Sequence, residues 1–319
     1  IKLLPEVIEE DEGYRNYICG ENGILKKWLR CGIAGYRLDV ADELPDIFLD
    51  DLRKSVKSEN ENAIIIGEVW EDATNKFAYG QRRKYLLGEQ LDSVMNYPFA
   101  DAILNFVRYA NGNAFFNAVL SIIENYPPQV LNVLMNHIGT HDTERAITRL
   151  AGENPDGHDR AWQFEHNTLS EFDYLKGISM MKIASLIQFT LPGVPSIYYG
   201  DEIGMQGMKD PFNRACMPWN KPNEELLKWY KRLGQIRHSS KAFIDGDFEK
   251  LYCDGGVIAY SRSSEGDNIL VAINNSNEQK RIFVGIQWDN SYSLFDEKSV
   301  DGFVNLPPYR YTLLSKKEY

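Results

Sequence analysis

The first thirty residues carry apolar side chains at the spacing of an amphipathic helix. Between residues 5 and 30 these side chains recur three or four positions apart, and the pattern ends at Cys31 and Gly32. Two glycines, Gly20 and Gly23, interrupt it. We therefore predict two helices in this segment, separated by a short break.

Five short apolar runs come next, in alternation with helical patterns. The runs occupy residues 33–41, 62–70, 91–97, 130–137 and 194–200, and the helical patterns residues 44–58, 99–110, 172–188 and 224–237. The first of these helical patterns predicts an apolar face made of Ile47, Phe48, Leu52 and Val56. The second run has consecutive β-branched residues without alternation, which is typical of a parallel strand covered on both faces. Five βα units in series predict a parallel sheet, either open or closed into a barrel.

The pattern changes after about residue 240. Short alternating runs are separated there by the turn-forming triplets at 254–256, 265–267 and 274–276. We predict an antiparallel β domain over residues 241–319, following a βα domain over residues 1–240. Since no Gly- or Ser-rich linker separates them, we expect the two to pack tightly.

Composition and charge exclude several classes of protein. The 319 residues have a net charge of −11 and no long basic run, which argues against a nucleic-acid partner. No apolar stretch approaches the roughly 20 residues of a membrane span. The four cysteines show no paired spacing, so we predict free thiols, no metal site and a reducing, cytoplasmic location.

Acidic residues follow three of the predicted strands directly. Asp39, Glu68 and the pair His141-Asp142 each stand at the carboxyl end of a strand, where sites assemble in a βα barrel. Three acids on one rim favour a two-carboxylate reaction. Glycoside cleavage with retention needs a nucleophile and an acid roughly 5–5.5 Å apart, which adjacent strand ends can supply.

Arg37 and Asp39 stand two positions apart in the first strand, so they point to the same face. The guanidinium is therefore expected beside the carboxylate, where it favours the ionised form that a nucleophile needs. Glu68 is expected in apolar surroundings such as Trp70, as suits a proton donor. Without the other acids, an Arg-x-Asp pair in a strand would equally indicate a structural ion pair. In the same way, His141-Asp142 by itself would indicate a loop cap.

Four segments together resemble the α-amylase family of glycoside hydrolases, family 13. They are GYRLDVADE, GEVW, GTHDTER and LPGVPSIYYGDEIGM, in the family's order. The Glu four residues after the Asp is similar to the neopullulanase, cyclomaltodextrinase and maltogenic amylase branch. The resemblance implies that Asp39 is the nucleophile, Glu68 the general acid/base, and Asp142 the carboxylate that holds the 2- and 3-hydroxyls. Arg37 would pair with Asp39, and His141 would bind the sugar.

The resemblance also implies substrate contacts outside these acids. Trp70, Met95 and Tyr97 would contact the sugar on the leaving-group side, although Trp70 suits rim packing and Met95 a core position equally well. Glu43 would act on the acceptor side, or else be a solvated acid at a helix start. Asp210 and Arg214, spaced by four, would anchor the glucose one position further on the non-reducing side, with a surface salt bridge as the alternative.

The chain differs from a complete family member in one respect. The Asp, Asn and His signature of the third strand and the insertion after it are absent from the sequence. We therefore expect a partial (β/α)8 TIM barrel, with strands 4 to 8, followed by a β-sandwich. We expect no cofactor, with calcium confined to the missing part. We also expect this chain alone to be inactive and to self-associate through open barrel edges.

The resemblance implies a retaining α-glucan hydrolase acting in starch degradation. The substrates expected are α-1,4-linked maltooligosaccharides, cyclodextrins or pullulan. A transglycosylase or isomerase would use the same three acids, with a sugar hydroxyl in place of water. A non-catalytic carbohydrate-binding fragment is the third possibility. The three intact acids argue against it, and the absence of the first strands argues for it.

Overall fold

The computed structural model describes residues 5, 7–78, 80–295, 299–300 and 302–317. The helices are α1 (Glu12–Cys19), α2 (Ile24–Arg30), α3 (Asp46–Glu59), α4 (Tyr97–Tyr109), α5 (Gly112–Asn125), α6 (Pro128–Leu131), α7 (Ala146–Ala151), α8 (Arg160–Glu165), α9 (Glu171–Thr190), α10 (Glu224–Ser239) and α11 (Ala242–Asp245). The 3₁₀ turns are Ala41–Glu43, Asp201–Ile203, Phe212–Arg214 and Ile286–Trp288.

The strands are short in the first two thirds of the chain and longer afterwards. They are β1 (Gly35–Leu38), β2 (Ile64–Gly67), β3 (Phe77–Ala78), β4 (Gln81–Arg82), β5 (Ser93–Val94), β6 (Met135–Asn136), β7 (Val194–Pro195), β8 (Asp247–Asp254), β9 (Val257–Ser264), β10 (Asp267–Asn274), β11 (Lys280–Phe283), β12 (Ser291–Ser293), β13 (Ser299–Val300), β14 (Phe303–Leu306) and β15 (Arg310–Ser315).

The chain divides into two compact units. One consists of Ile1–Pro98 and Ile122–Met135, the other of Phe99–Ser121 and Asn136–Tyr319. The predicted domain boundary at residue 240 stays a prediction. Each unit is described by itself below.

The first unit contains a parallel sheet in the order β1-β2-β5. Gly35 pairs with Ile64 and Leu38 with Gly67, so β1 and β2 end at the same level. A Cβ on Gly35 would lie 2.0 Å from the Ile64 carbonyl oxygen, so only glycine fits this close approach. The predicted parallel pairing is confirmed for these strands, and closure into a barrel stays a prediction.

Helices α1 and α2 are separated at Gly20–Gly23, as predicted. Helix α3 buries Phe48, Leu52 and Val56, also as predicted. The prediction for Ile47 is wrong, because this side chain is 44% exposed. It precedes Phe48 by one residue, and one residue rotates a helical side chain by about 100°, away from the buried face.

The second unit contains helix α9, whose C-terminal half is almost wholly buried. Strand β7 lies beside the end of β6, where Ser196 N–H donates to the Asn136 carbonyl at 2.7 Å. Helix α5, which sequence analysis did not predict, begins two residues after Ala110. Ala110 has a left-handed backbone with φ 57°, which ends α4.

The end of the chain forms antiparallel sheets. One has the order β13-β12-β15-β10-β9-β8, and β11 pairs with β14 in a second. Ile282 of β11 and Val304 of β14 belong to the same buried cluster as Leu270 and Leu314 of the larger sheet. The predicted antiparallel pairing is confirmed, and the sandwich architecture stays a prediction.

The expected tight packing across residue 240 is confirmed by contacts within the second unit. The Tyr260 hydroxyl lies 2.6 Å from Thr190 Oγ1, and the Arg262 guanidinium donates to the Thr190 carbonyl at 2.9 Å. Both strand residues are buried. Strand β9 is therefore joined to the end of α9.

Candidate active site

The first site element is the pair of backbones that leave β1 and β2. Asp39 and Glu68 each follow the last residue of their strand. Glu68 N–H donates to the Leu38 carbonyl at 2.9 Å, and Ala41 N–H donates to the Glu68 carbonyl at 3.1 Å. The parallel register therefore brings the two acids to the same sheet edge, as the sequence predicts.

Arg37 connects the two acids. Its guanidinium contacts Asp39 Oδ1, and its Nη2 lies 3.0 Å from Glu68 Oε1. Its Nε donates to Met95 Sδ at 3.3 Å. The predicted pairing of Arg37 with Asp39 is confirmed, whereas the pairing with Glu68 was not predicted. One cation thus fixes two carboxylates that differ in exposure, with Asp39 72% and Glu68 5% exposed.

Glu68 does not lie in the apolar surroundings that the sequence predicted. Val40 N–H donates to Oε2 at 2.9 Å, and the Tyr97 hydroxyl donates to Oε1 at 3.2 Å. Together with Arg37, these donors give both oxygens a polar partner. The expectation is wrong because the donors come from a turn and from a later element, which the residues beside Glu68 do not reveal.

Val40 has a left-handed backbone, with φ 44° and ψ 53°. A β-branched residue is rare in this conformation, which costs of order 1–3 kcal/mol. The conformation turns the chain sharply after Asp39 and directs the Val40 N–H toward Glu68. Val40, the residue in this unfavourable conformation, therefore links Asp39, which precedes it in the chain, to Glu68, which accepts its N–H.

Trp70, Met95 and Tyr97 lie beside this cluster with different exposures. The Trp70 ring is 46% exposed and stacks on Tyr97, with centroids 4.1 Å apart and planes at 13°. Tyr97 and Met95 are buried. The expected direct sugar contact of Met95 and Tyr97 therefore finds no open surface, and the core interpretation of Met95 fits. Tyr97 covers one face of the Trp70 ring, and Trp70 is nevertheless 46% exposed.

Glu43 lies at the end of the 3₁₀ turn Ala41–Glu43 and is exposed. It lines a depression of about 660 Å³ together with Pro45, Asp46 and Arg83. The turn begins directly after Val40. Glu43 therefore occupies a solvent-facing position near the acids, and its acceptor-side role stays a prediction.

The second site element belongs to the other unit and joins all four residues predicted there. His141 Nε2 lies 3.2 Å from Asp142 Oδ2. Arg214 lies 3.3 Å from Asp142 Oδ1 through Nη2 and 3.1 Å from Asp210 Oδ1 through Nε. Arg214 is therefore shared between two carboxylates. The predicted pair of Asp210 and Arg214 is confirmed, and the contact with Asp142 was not predicted.

Asn213 is a site residue that sequence analysis missed. Its side chain is fully buried, and its Nδ2 donates to the carbonyls of His141 at 2.8 Å and Thr143 at 2.7 Å. Arg214 Nε donates to the same His141 carbonyl at 2.9 Å. These bonds fix the backbone on both sides of Asp142. The only sequence signal is the position of Asn213 beside Arg214.

The structure thus gathers the predicted residues into two clusters, one in each unit. The first contains Arg37, Asp39, Glu68 and Met95, with Trp70 and Tyr97 alongside, and the second contains His141, Asp142, Asp210 and Arg214. In the described part of the chain, no three His, Cys, Asp or Glu side chains could hold a metal ion together. The expectation that no cofactor is needed stays a prediction. Among the described helices, none combines the length and the apolar character that crossing a membrane requires.

Comparison with known proteins gives consistent matches. Residues 2–290 match the family described as "Alpha amylase, catalytic domain". Cyclomaltodextrinase of Thermoanaerobacter pseudethanolicus is 34% identical over 286 residues, which are 88% of this chain and 44% of that protein. Neopullulanase 2 of Thermoactinomyces vulgaris is 31% identical over 294 residues, 90% of this chain and 44% of that protein.

Solved structures give the same picture. The debranching enzyme of Nostoc punctiforme, in its native form, has a TM-score of 0.78 and 26% identity. The similarity covers 97% of this chain and 63% of that one. The chain spans about half the length of the curated relatives named above.

Proposed function

Because the chain belongs to the α-amylase family of glycoside hydrolases, we propose that it serves in the hydrolysis of α-glucans by a retaining double displacement. The catalytic domain of this family is a TIM barrel, whose active site lies at the carboxyl ends of the strands. The observation that carries the proposal is the single guanidinium of Arg37 set between Asp39 and Glu68, directly after two adjacent parallel strands.

The two acids have different roles in this proposal. An Asp39 oxygen attacks the anomeric carbon while Glu68 gives its proton to the departing glycosidic oxygen, which leaves a glycosyl ester on Asp39. Glu68, now ionised, takes a proton from water, and that water oxygen displaces Asp39 from the anomeric carbon. A carboxyl separation of roughly 5–5.5 Å is expected for this reaction.

Arg37 positions both acids for these steps. The exposed Asp39 is free to reach the sugar, whereas Glu68 is fixed by two hydrogen bonds and by the ion pair with Arg37. A carboxyl group has about four lone pairs, so Glu68 can keep these partners and still carry the proton that it gives to the leaving oxygen.

The second cluster is assigned to holding the sugar. Asp142 would bind the 2- and 3-hydroxyls, and His141 a neighbouring hydroxyl. Arg214, anchored by Asp210, would bind the next glucose toward the non-reducing side. Because Arg214 and Asp142 contact each other, the two sugar units that they would bind can be neighbours in one chain. Trp70 would contact the leaving-group sugar with its exposed surface.

The substrates proposed follow the names of the relatives. Cyclomaltodextrinase, neopullulanase and amylopullulanase lie at 30–34% identity. We therefore propose α-1,4-linked maltooligosaccharides, cyclodextrins or pullulan as substrates. Products from maltotriose distinguish hydrolysis from transfer, since a transglycosylase would also form chains longer than the substrate.

The proposal is tested by Asp39→Asn in the full-length protein. The amide fills the same volume but cannot form the glycosyl ester, so kcat on maltotriose and β-cyclodextrin should fall by about 10⁴-fold or more. Asp254→Asn, at an exposed position in β8, is the control and should leave kcat unchanged. An Asp39→Asn variant that keeps about a tenth of the parent activity would remove Asp39 from the nucleophile role.

A further inference from the structure

An aromatic pair with one exposed and one half-buried ring lies beside the second cluster and has no place in the mechanism above. Phe164 of helix α8 is 70% exposed. Its ring contacts Phe212, with centroids 6.1 Å apart and planes at 49°. Phe212 stands between Asp210 and Arg214 in the chain and opens the 3₁₀ turn that ends at Arg214. The pair thus continues the loop that carries the proposed sugar anchor.

The position of Phe164 is fixed by bonds between its own loop, residues 152–170, and the loop 206–214. Leu169 N–H donates to Gln206 Oε1 at 2.6 Å, Met208 N–H donates to Asn167 Oδ1 at 2.8 Å, and Lys209 Nζ donates to Asp156 Oδ1 at 2.6 Å. They span the loop from end to end. Phe164 therefore has a defined place relative to the sugar anchor.

Helix α8 itself is held by a stack of three rings. His158 and Trp162 lie with centroids 3.7 Å apart, and Trp162 and His166 with centroids 4.0 Å apart, all nearly parallel. Asp159 caps the helix by accepting from Trp162 N–H at 2.8 Å. The stack explains how six helical residues keep one shape and hold Phe164 outward. It also gives His158 and His166 a structural role.

We infer that Phe164 and Phe212 form a platform for an additional glucosyl unit, one or more positions beyond the glucose assigned to Arg214. The inference rests on the proposed function. A rigid aromatic face binds the apolar CH face of a sugar ring. Lys209 and Asp156, both exposed beside the pair, supply hydrogen-bonding groups of the kind that sugar hydroxyls use. An α-1,4-glucan continuing from Arg214 is the occupant that fits both features.

The platform acts far from the bond that is broken. Its contribution should be the same in the ground state and the transition state, so it should lower KM for long substrates and leave kcat unchanged. Substrates too short to reach it should not respond. The property predicted is therefore a preference for longer chains.

The test is Phe164→Ala in the full-length protein, with maltotriose and maltohexaose compared. The ratio of kcat/KM for maltohexaose to that for maltotriose should fall by about threefold to tenfold. Phe164→Trp keeps an aromatic face and should retain the parent ratio. Phe172→Ala is the matched control, since Phe172 is 78% exposed at the start of α9, and it should leave the ratio unchanged.

An unchanged ratio in Phe164→Ala, or an equal fall in Phe172→Ala, would overturn the inference while leaving the hydrolase proposal intact. If the parent protein releases no reducing ends from either substrate, the hydrolase proposal fails instead. Calorimetric titration with maltohexaose then tests the platform through binding affinity, without requiring hydrolysis. Weaker binding to Phe164→Ala than to Phe172→Ala supports it, and equal binding refutes it.

Discussion

Asp201, in the 3₁₀ turn after β7, is 2% exposed, and within the described residues neither of its oxygens accepts a hydrogen bond. Arg145 Nη1 lies 3.7 Å from Oδ1, too far to be a hydrogen bond. Burial raises the pKa of Asp201 to about 7, and Arg145 opposes this only in part. The carboxyl group is thus held where ionisation is unfavourable.

The raised pKa of Asp201 has a consequence for stability. An unfolded aspartate titrates near 3.8, so between that pH and about 7 the folded chain retains a proton that the unfolded chain has lost. The free energy of unfolding therefore falls as pH rises through this window. The contribution is largest at acid pH and is lost above the folded pKa.

Asp201→Asn should remove this pH dependence, because the amide keeps the shape but does not ionise. The free energy of unfolding of the variant, minus that of the parent, should rise between pH 5 and pH 8 by about 2–3 kcal/mol. Urea denaturation at both pH values measures it. Glu265→Gln, at an exposed turn, should show no such rise, and parallel curves for Asp201→Asn would contradict the assignment.

At the level of the elements, Arg262 connects strand β9 by hydrogen bonds to the end of α9 and to the residue before β8. Its guanidinium is fully buried and donates to the Gly246 carbonyl at 2.9 and 3.1 Å and to the Thr190 carbonyl at 2.9 Å. Burial lowers the pKa of Arg262 to about 10. These bonds connect the end of α9, the start of β8 and the middle of the C-terminal sheet.

Arg262→Met should destabilise the chain by about 2–4 kcal/mol, because two buried carbonyls lose their charged donor and an apolar side chain replaces none of the bonds. The loss should appear as a lower urea midpoint with an unchanged slope. Arg310→Met, at an exposed position in β15, is the control and should change stability by less than about 0.5 kcal/mol. Similar midpoints for both variants would show that the buried bonds are dispensable.

At the scale of the whole molecule, β1 pairs on one side alone among the described residues. Its other edge carries backbone groups that favour pairing with another chain. We therefore propose that the 319-residue chain, expressed alone, self-associates and does not hydrolyse α-glucans. A sheet that is not closed into a barrel would hold the sugar loosely. Loose positioning by itself can lower the rate by about 10²-fold.

Light scattering after size-exclusion chromatography measures the association, and release of reducing ends from maltotriose and β-cyclodextrin measures the activity. We expect a particle larger than one chain and activity at background. Asp39→Asn in the same chain gives that background. A monomer with activity well above this control would contradict the prediction.

The sequence by itself determined the parallel pairing of β1, β2 and β5, the acids that follow β1 and β2, and the antiparallel pairing of the last third. These follow from local rules, since side-chain period sets which face a residue occupies, as it does for Arg37 and Asp39. Helix α5 was not predicted because the left-handed backbone at Ala110 ends α4 and lets a new helix begin. The exposure of Ile47 was not predicted because a shift of one residue along a helix turns the side chain away from the buried face.

Only the tertiary structure decided which partners the acids take from distant parts of the chain. Glu68 meets the Tyr97 hydroxyl 29 residues away, and Arg214 meets Asp142 at a distance of 72 residues in the chain. The same is true of the platform, since Phe164 meets Phe212 through two packed loops. No periodic pattern encodes such contacts. They arise when separate elements pack and most buried polar groups take a partner from an element that lies nearby.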